Sequence, residues 1–101
     1  MSAPPFELAY SDEALSVMAD LARPAHTVKR KKVVKALRLL RDNGPAHPGL
    51  NSHKYHSVTG LNGEDVWESY VENHTPGAWR IWWMYGPEAD ALTVITIGPH
   101  P

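Results

Sequence analysis

The sequence predicts one two-layer α+β domain, in which an antiparallel αα-hairpin packs on a mostly antiparallel sheet of four to five strands. The expected order is β-α-α-β-β-β-β. Three observations predict it. The chain has 101 residues, one domain's worth. Apolar residues recur at helical spacing in two stretches between Ser11 and Asn43. From Gly49 onward the pattern becomes strand-like alternation broken by turn signals.

The elements follow in order. Phe6–Tyr10 alternates apolar and mixed positions and reads as a first strand. Ser11 is a helix N-cap, with Asp12 and Glu13 in the first turn, where the helix dipole favours acids. Leu15, Met18, Leu21 and Ala22 form the apolar spacing of this helix, and Pro24 stops it near Arg23. A second helix spans Thr27 to Arg41, with Val33, Ala36, Leu37 and Leu40 as its buried stripe. Asp42-Asn43-Gly44-Pro45 ends it. His53–Val58 and Val66–Glu72 are the next strands, joined through the Asn62-Gly63 turn signal. After His74-Thr75-Pro76-Gly77 comes Ala78–Tyr85, in which Trp79, Ile81, Trp83 and Tyr85 share one face, the core face, and Arg80, Trp82 and Met84 the other. Leu92–Ile97 is the last strand.

Composition narrows the function classes. Hydrophobic residues make up 43% and charged residues 21%, a globular profile. The absence of cysteine excludes a disulfide scaffold, a thiolate zinc site and a cysteine nucleophile. No stretch approaches the roughly 18 apolar residues of a membrane helix, and Met1–Pro5 lacks the basic and apolar regions of a secretory signal. The expectation is a cytoplasmic protein with no membrane contact, flexible over residues 1–5 and folded as a single domain over 6–101. The net charge is −1, but its distribution is uneven. All Lys and Arg residues except Arg23 and Arg80 fall within 28–54, against the single acid Asp42. One basic element on a near-neutral molecule suggests a local anionic contact.

No metal or nucleotide motif stands out, and no cofactor is implied. His53 and His56 form an HxxH, but on a strand an odd spacing sends them to opposite faces. Neither a glycine-rich phosphate loop nor a GxSxG is present. The remaining polar residues of the late strands are Lys54, His56, Glu68, Tyr70, Arg80 and His100. Metal-free RNA cleavage uses such residues: a base for the 2′-hydroxyl, a cation for the crowded phosphorane and an acid for the departing 5′-oxygen. Trp82, Tyr70 or Tyr55 could stack on a base.

The chain resembles the RelE/ParE toxin superfamily. The resemblance rests on the αα-hairpin followed by Ala78-Trp79-Arg80-Ile81-Trp82-Trp83, and on the closing Leu92-Thr93-Val94-Ile95-Thr96-Ile97-Gly98-Pro99-His100. Lys35–Asn43 followed by Pro45 is similar to the family's second helix and its ending turn. His47-Pro48-Gly49-Leu50 and the strand with Lys54-Tyr55 suit its entry into the sheet. It covers Phe6 to Pro101. The resemblance implies the toxin of a type II toxin–antitoxin system. RNA-cleaving members cut messenger RNA without metal, usually on the ribosome, and a cognate antitoxin is the partner. Carried over, Arg80 matches the arginine at the scissile phosphate and His100 the C-terminal catalytic residue. Lys54 falls in a strand that supplies basic groups, and His56 or Glu68 is the candidate base. Lys54, Tyr70 and Trp82 are expected to bind substrate, and Lys31, Lys32, Lys35 and Arg38 to contact RNA or the antitoxin. Two alternatives stay open: a ParE-like toxin that inhibits DNA gyrase by binding, which a net charge of −1 suits, or a degenerate member that only binds its antitoxin.

Overall fold

In the computed structural model, which describes residues 3–101, the chain runs β1 (Glu7–Tyr10), α1 (Asp12–Leu21), α2 (Thr27–Asn43), β2 (His53–Thr59), β3 (Asp65–Tyr70), β4 (Trp79–Tyr85) and β5 (Ala91–Pro99). Met1 and Ser2, part of the segment expected to be flexible, lie outside the described residues. Short 3-10 turns at Pro24–His26 and Pro48–Leu50 lead into α2 and β2. The five strands form one sheet in the order β1-β5-β4-β3-β2. β1 runs parallel to β5 and every other pair is antiparallel, so the expected α+β architecture is the one found.

Local chemistry sets the helix ends. The Ser11 hydroxyl oxygen accepts from the Ala14 amide at 3.0 Å and its hydrogen goes to the Ile95 carbonyl, so one side chain caps α1 and ties it to β5. At the end of α2, Gly44 takes φ 81° and its amide returns to the Leu40 carbonyl at 3.1 Å. A Cβ there would also approach the Phe6 ring to 3.1 Å, so both backbone and space favour glycine.

The core lies between the helices and one sheet face. Ala14 and Leu21 of α1 and Val33, Leu37 and Leu40 of α2 meet Ile81, Trp83, Leu92, Val94 and Ile97. The stripe expected on α2 is the stripe found. On α1 the buried line runs through Ala14, Val17, Met18 and Leu21, while Leu15 is 53% exposed. The Ser11 cap fixes the rotation of α1, and it turns Ala14 rather than Leu15 toward β5. Tyr85 is likewise not in the core. It is half exposed, with its ring edge against Trp83 at 5.0 Å and Trp67 at 6.0 Å. Trp83 is fully buried and satisfied: its indole Nε1 donates to Ser69 Oγ at 2.8 Å, and Ser52 Oγ lies 2.7 Å from the same atom.

Candidate functional site

Register decides which polar side chains meet. His53 of β2 pairs with Glu68 of β3, Glu68 with Trp82 of β4, and Trp82 with Thr96 of β5. Directly opposed residues share a face, so these four make one row across the sheet. Tyr70, Arg80 and Gly98 make the next row. His100 lies two residues beyond Gly98, and its backbone amide donates to the Ala78 carbonyl at 2.9 Å, so the ladder carries it to the same side. This is the face away from the helices, because Ile81 and Trp83 alternate onto the core side.

Glu68 is the centre of the cluster. Only 2% of it is exposed, and its carboxylate faces three cationic or ionisable groups: His53 Nε2 at 2.9 Å, His100 Nε2 at 3.5 Å and Arg80 Nε at 3.9 Å. A buried carboxylate needs such company, since desolvating an unpaired charge is costly. Both imidazoles are oriented by their other nitrogen. His53 Nδ1 is 2.8 Å from the Asn51 carbonyl, and His100 Nδ1 is 2.9 Å from the Pro101 carbonyl oxygen. A carbonyl only accepts, so these contacts assign the Nδ1 hydrogens and leave each Nε2 facing the carboxylate. His53 Nε2 stands 2.9 Å from the carboxylate.

Arg80 is held from three sides. Its Nη1 donates to the Glu72 carbonyl and to the Trp79 carbonyl at 3.1 Å, and its guanidinium carbon lies 3.6 Å from the Tyr70 ring centroid. Opposite it, Gly98 carries no side chain, and a Cβ built there meets nothing within 4 Å, so the space beside the guanidinium is open. Among the described residues, three buried side-chain polar atoms have no hydrogen-bond partner: Glu68 Oε2, Arg80 Nε and Trp82 Nε1. Most buried polar groups are satisfied. Here three that are not belong to two adjacent rows on one sheet face.

Glu72 supports this arrangement from behind. Its carboxylate accepts Lys29 Nζ at 2.6 Å, Lys32 Nζ at 3.0 Å and the Trp79 amide at 3.1 Å. These bonds, that from Lys29 first, hold its pKa down at about 2. Glu72 was expected inside a strand. Instead β3 ends at Tyr70, because the amides of Val71 and Glu72 both turn to the Trp79 carbonyl, at 3.0 and 3.1 Å, and close the neck of the β3–β4 loop.

Of the residues singled out from sequence, Glu68, Tyr70, Arg80, Trp82 and His100 come together. Lys54 does not: it pairs with Trp67 in the β2–β3 register, on the other side of the sheet, and its Nζ contacts Asp65 at 3.1 Å. His56 alternates to the side of Lys54 and is exposed. Lys32 is engaged by Glu72, while Lys31, Lys35 and Arg38 stay exposed along α2, beside Val34 and Leu39. Sequence reasoning missed His53 and Glu72. The signal for His53 was its alternation with Tyr55, usable only once the β2–β3 register is known.

No family model matches the sequence, and no curated protein matches it. Solved structures do match. The YoeB dimer structure from Staphylococcus aureus superposes with a TM-score of 0.68 over 97% of this chain and 100% of that one, at 12% identity. YafQ in the E. coli DinJ–YafQ toxin–antitoxin complex gives 0.63 over 96% and 94%, at 20% identity. The archaeal RelE–RelB complex from Pyrococcus horikoshii OT3 gives 0.62 over 95% and 96%, at 9% identity. The chain shares their fold. That is the fold implied by the resemblance of its sequence to RelE/ParE toxins, now extending over nearly the whole length of each neighbour.

Proposed function

We propose that this protein is the toxin of a toxin–antitoxin pair and acts as a metal-independent endoribonuclease on messenger RNA, thereby blocking translation. The observation that carries the reading is the cluster of unpartnered buried atoms, Glu68 Oε2 and Arg80 Nε, beside the Nε2 of His100. Such a set supplies what cleavage by the neighbouring 2′-hydroxyl requires. Glu68 Oε2 takes the 2′-hydroxyl proton as the 2′-oxygen attacks phosphorus. Arg80 stabilises the charge on the phosphorane oxygens. His100 gives the Nε2 proton to the departing 5′-oxygen, leaving a 2′,3′-cyclic phosphate and a free 5′-hydroxyl. His53 Nε2 holds Glu68 Oε1, and His100 Nε2 stands 3.5 Å from Oε2. In this reading the 2′-hydroxyl therefore enters between that oxygen and the imidazole.

The partner in this reading is an antitoxin, as in the RelE–RelB and DinJ–YafQ complexes whose toxins share the fold. The exposed Lys31, Lys35 and Arg38 suit an acidic segment of it. A second reading, inhibition of gyrase by contact, is favoured by the net charge of −1, because ribosome and RNA binding gain from a basic surface. Expression in a bacterial host, with transcripts mapped for wild type, Arg80→Ala and His100→Ala, separates them. Growth arrest with new 5′ ends that disappear in both variants is expected. Arrest with intact transcripts and inhibited supercoiling overturns the nuclease reading in favour of the second.

A further inference from the structure

Beside the Glu68 cluster, on the same sheet face, lies a mostly apolar slot of about 200 Å³ lined by Tyr55, Val58, Val66, Trp82, Ile95 and Pro101, with Thr96 as its polar member. It is smaller than the roughly 300–1,000 Å³ pockets that hold drug-sized ligands, and fits one flat ring system. Two of its walls are aromatic. The Tyr55 and Trp82 rings meet edge to face, with centroids 5.8 Å apart, and the other edge of Tyr55 faces His100 at 6.5 Å. Tyr55 therefore borders both the slot and the proposed acid.

We propose that this slot binds the base of the nucleotide at the scissile phosphate, an inference that rests on the RNA-cleaving reading above. Arg80 and Trp82 are two residues apart on β4, hence about 7 Å along the strand. That is the reach from a phosphate on the guanidinium to its own nucleobase. The slot offers apolar and aromatic surface to the base and no cation to a second phosphate. Trp82 adds a polar term. It is more than nine-tenths buried, and its indole Nε1 has no acceptor in the protein, whereas the neighbouring Trp83 Nε1 is satisfied by Ser69. Indole N–H groups in folded proteins normally find a partner. The β5 bulge contributes to the same wall. The register slips between Trp82↔Thr96 and Trp83↔Val94, which leaves Ile95 as the extra residue beside the indole.

The test uses two short RNA oligonucleotides blocked from cleavage by one 2′-deoxy sugar, identical except that one lacks the base at that position. Their binding is measured by fluorescence anisotropy on wild type and on Val58→Asp, a half-exposed lining residue whose replacement puts a charge into the slot. Loss of the base is expected to weaken binding by wild type by roughly five- to a hundredfold, the span of base–aromatic stacking, and to make little difference in Val58→Asp. Equal binding of the two oligonucleotides by wild type, with the all-ribose parent still cut, removes the slot and leaves the nuclease standing. Neither binding nor cutting removes both. Equal binding together with a changed association state in Val58→Asp assigns the slot to a protein surface and also overturns the proposal.

Discussion

Replacing Glu72 by Gln tests whether α2 is latched to the loop that positions Arg80. The Glu72 carboxylate takes hydrogen bonds from Lys29 and Lys32 of α2 and from the Trp79 amide, and its pKa is held at about 2 instead of the usual 4.5. A difference of that size corresponds to about 3 kcal/mol of folding free energy at neutral pH. Lys29 and Lys32 both reach solvent, so screening reduces the net contribution to about 1–2 kcal/mol. The sign is fixed by the direction of the shift. A depressed carboxylate contributes fully above its unfolded value of about 4.5, and the contribution disappears as pH falls through the folded value near 2. Urea unfolding of wild type and Glu72→Gln at several pH values reads this directly. The two curves should differ by about 1–2 kcal/mol at pH 7 and converge as pH approaches 2. Asp42 and Glu64, also held below the ordinary carboxylate range, are common to both proteins and cancel. A gap that stays constant from pH 7 to pH 2.5, or one absent at pH 7, refutes the latch.

Two further substitutions probe the site and its frame. His53→Ala removes the donor to Glu68 Oε1 and leaves a second buried carboxylate oxygen unpaired. It should cost about 1–3 kcal/mol in chemical unfolding at pH 7; an unchanged midpoint contradicts a stabilising role for the His53–Glu68 contact. Ser11→Ala loses both the α1 cap and the bond to the Ile95 carbonyl. A loss of about 1–2 kcal/mol, read as a fall in Tm of roughly 5–10 °C, is expected, and a change below about 2 °C contradicts the dual role.

Alternation along Ala78–Tyr85 separated Arg80 and Trp82 from Ile81 and Trp83 without any tertiary information, because a strand's two-residue period is local. Which partners meet across strands is not local. Choosing between His53 and His56, or placing Lys54, depends on the β2–β3 register, and that pairing is interrupted between Tyr55 and Thr59. Lys54 was expected at the site from the resemblance alone, and the regular pairing His53↔Glu68, Lys54↔Trp67 puts His53 there instead, since neighbouring residues take opposite faces. Glu68 was chosen by position along the chain; its burial follows from neighbours on three other segments. Leu15 failed for a related reason: helical spacing gives a stripe, but the cap at Ser11 sets its rotation.

The layout of ion pairs bears on how a protein of net charge −1 handles a polyanion. The basic stretch is partly neutralised within the chain: Lys29 and Lys32 by Glu72, and at the surface Arg41 by Asp42 and Lys54 by Asp65. Exposed on α2 without an ion pair among the described residues is the strip of Arg30, Lys31, Lys35 and Arg38. That strip belongs to the helical layer, while Arg80 and the two imidazoles stand on the opposite face of the sheet. In the proposed reading, a partner on the strip and a substrate at Glu68 would therefore not compete for the same cations. Counterion release scales with the number of phosphates neutralised, so a cleft with one guanidinium gains little affinity from charge alone. Under the nuclease reading proposed above, recognition on that face would rest on shape and stacking, with Tyr55, Tyr70 and Trp82 as its aromatic surface.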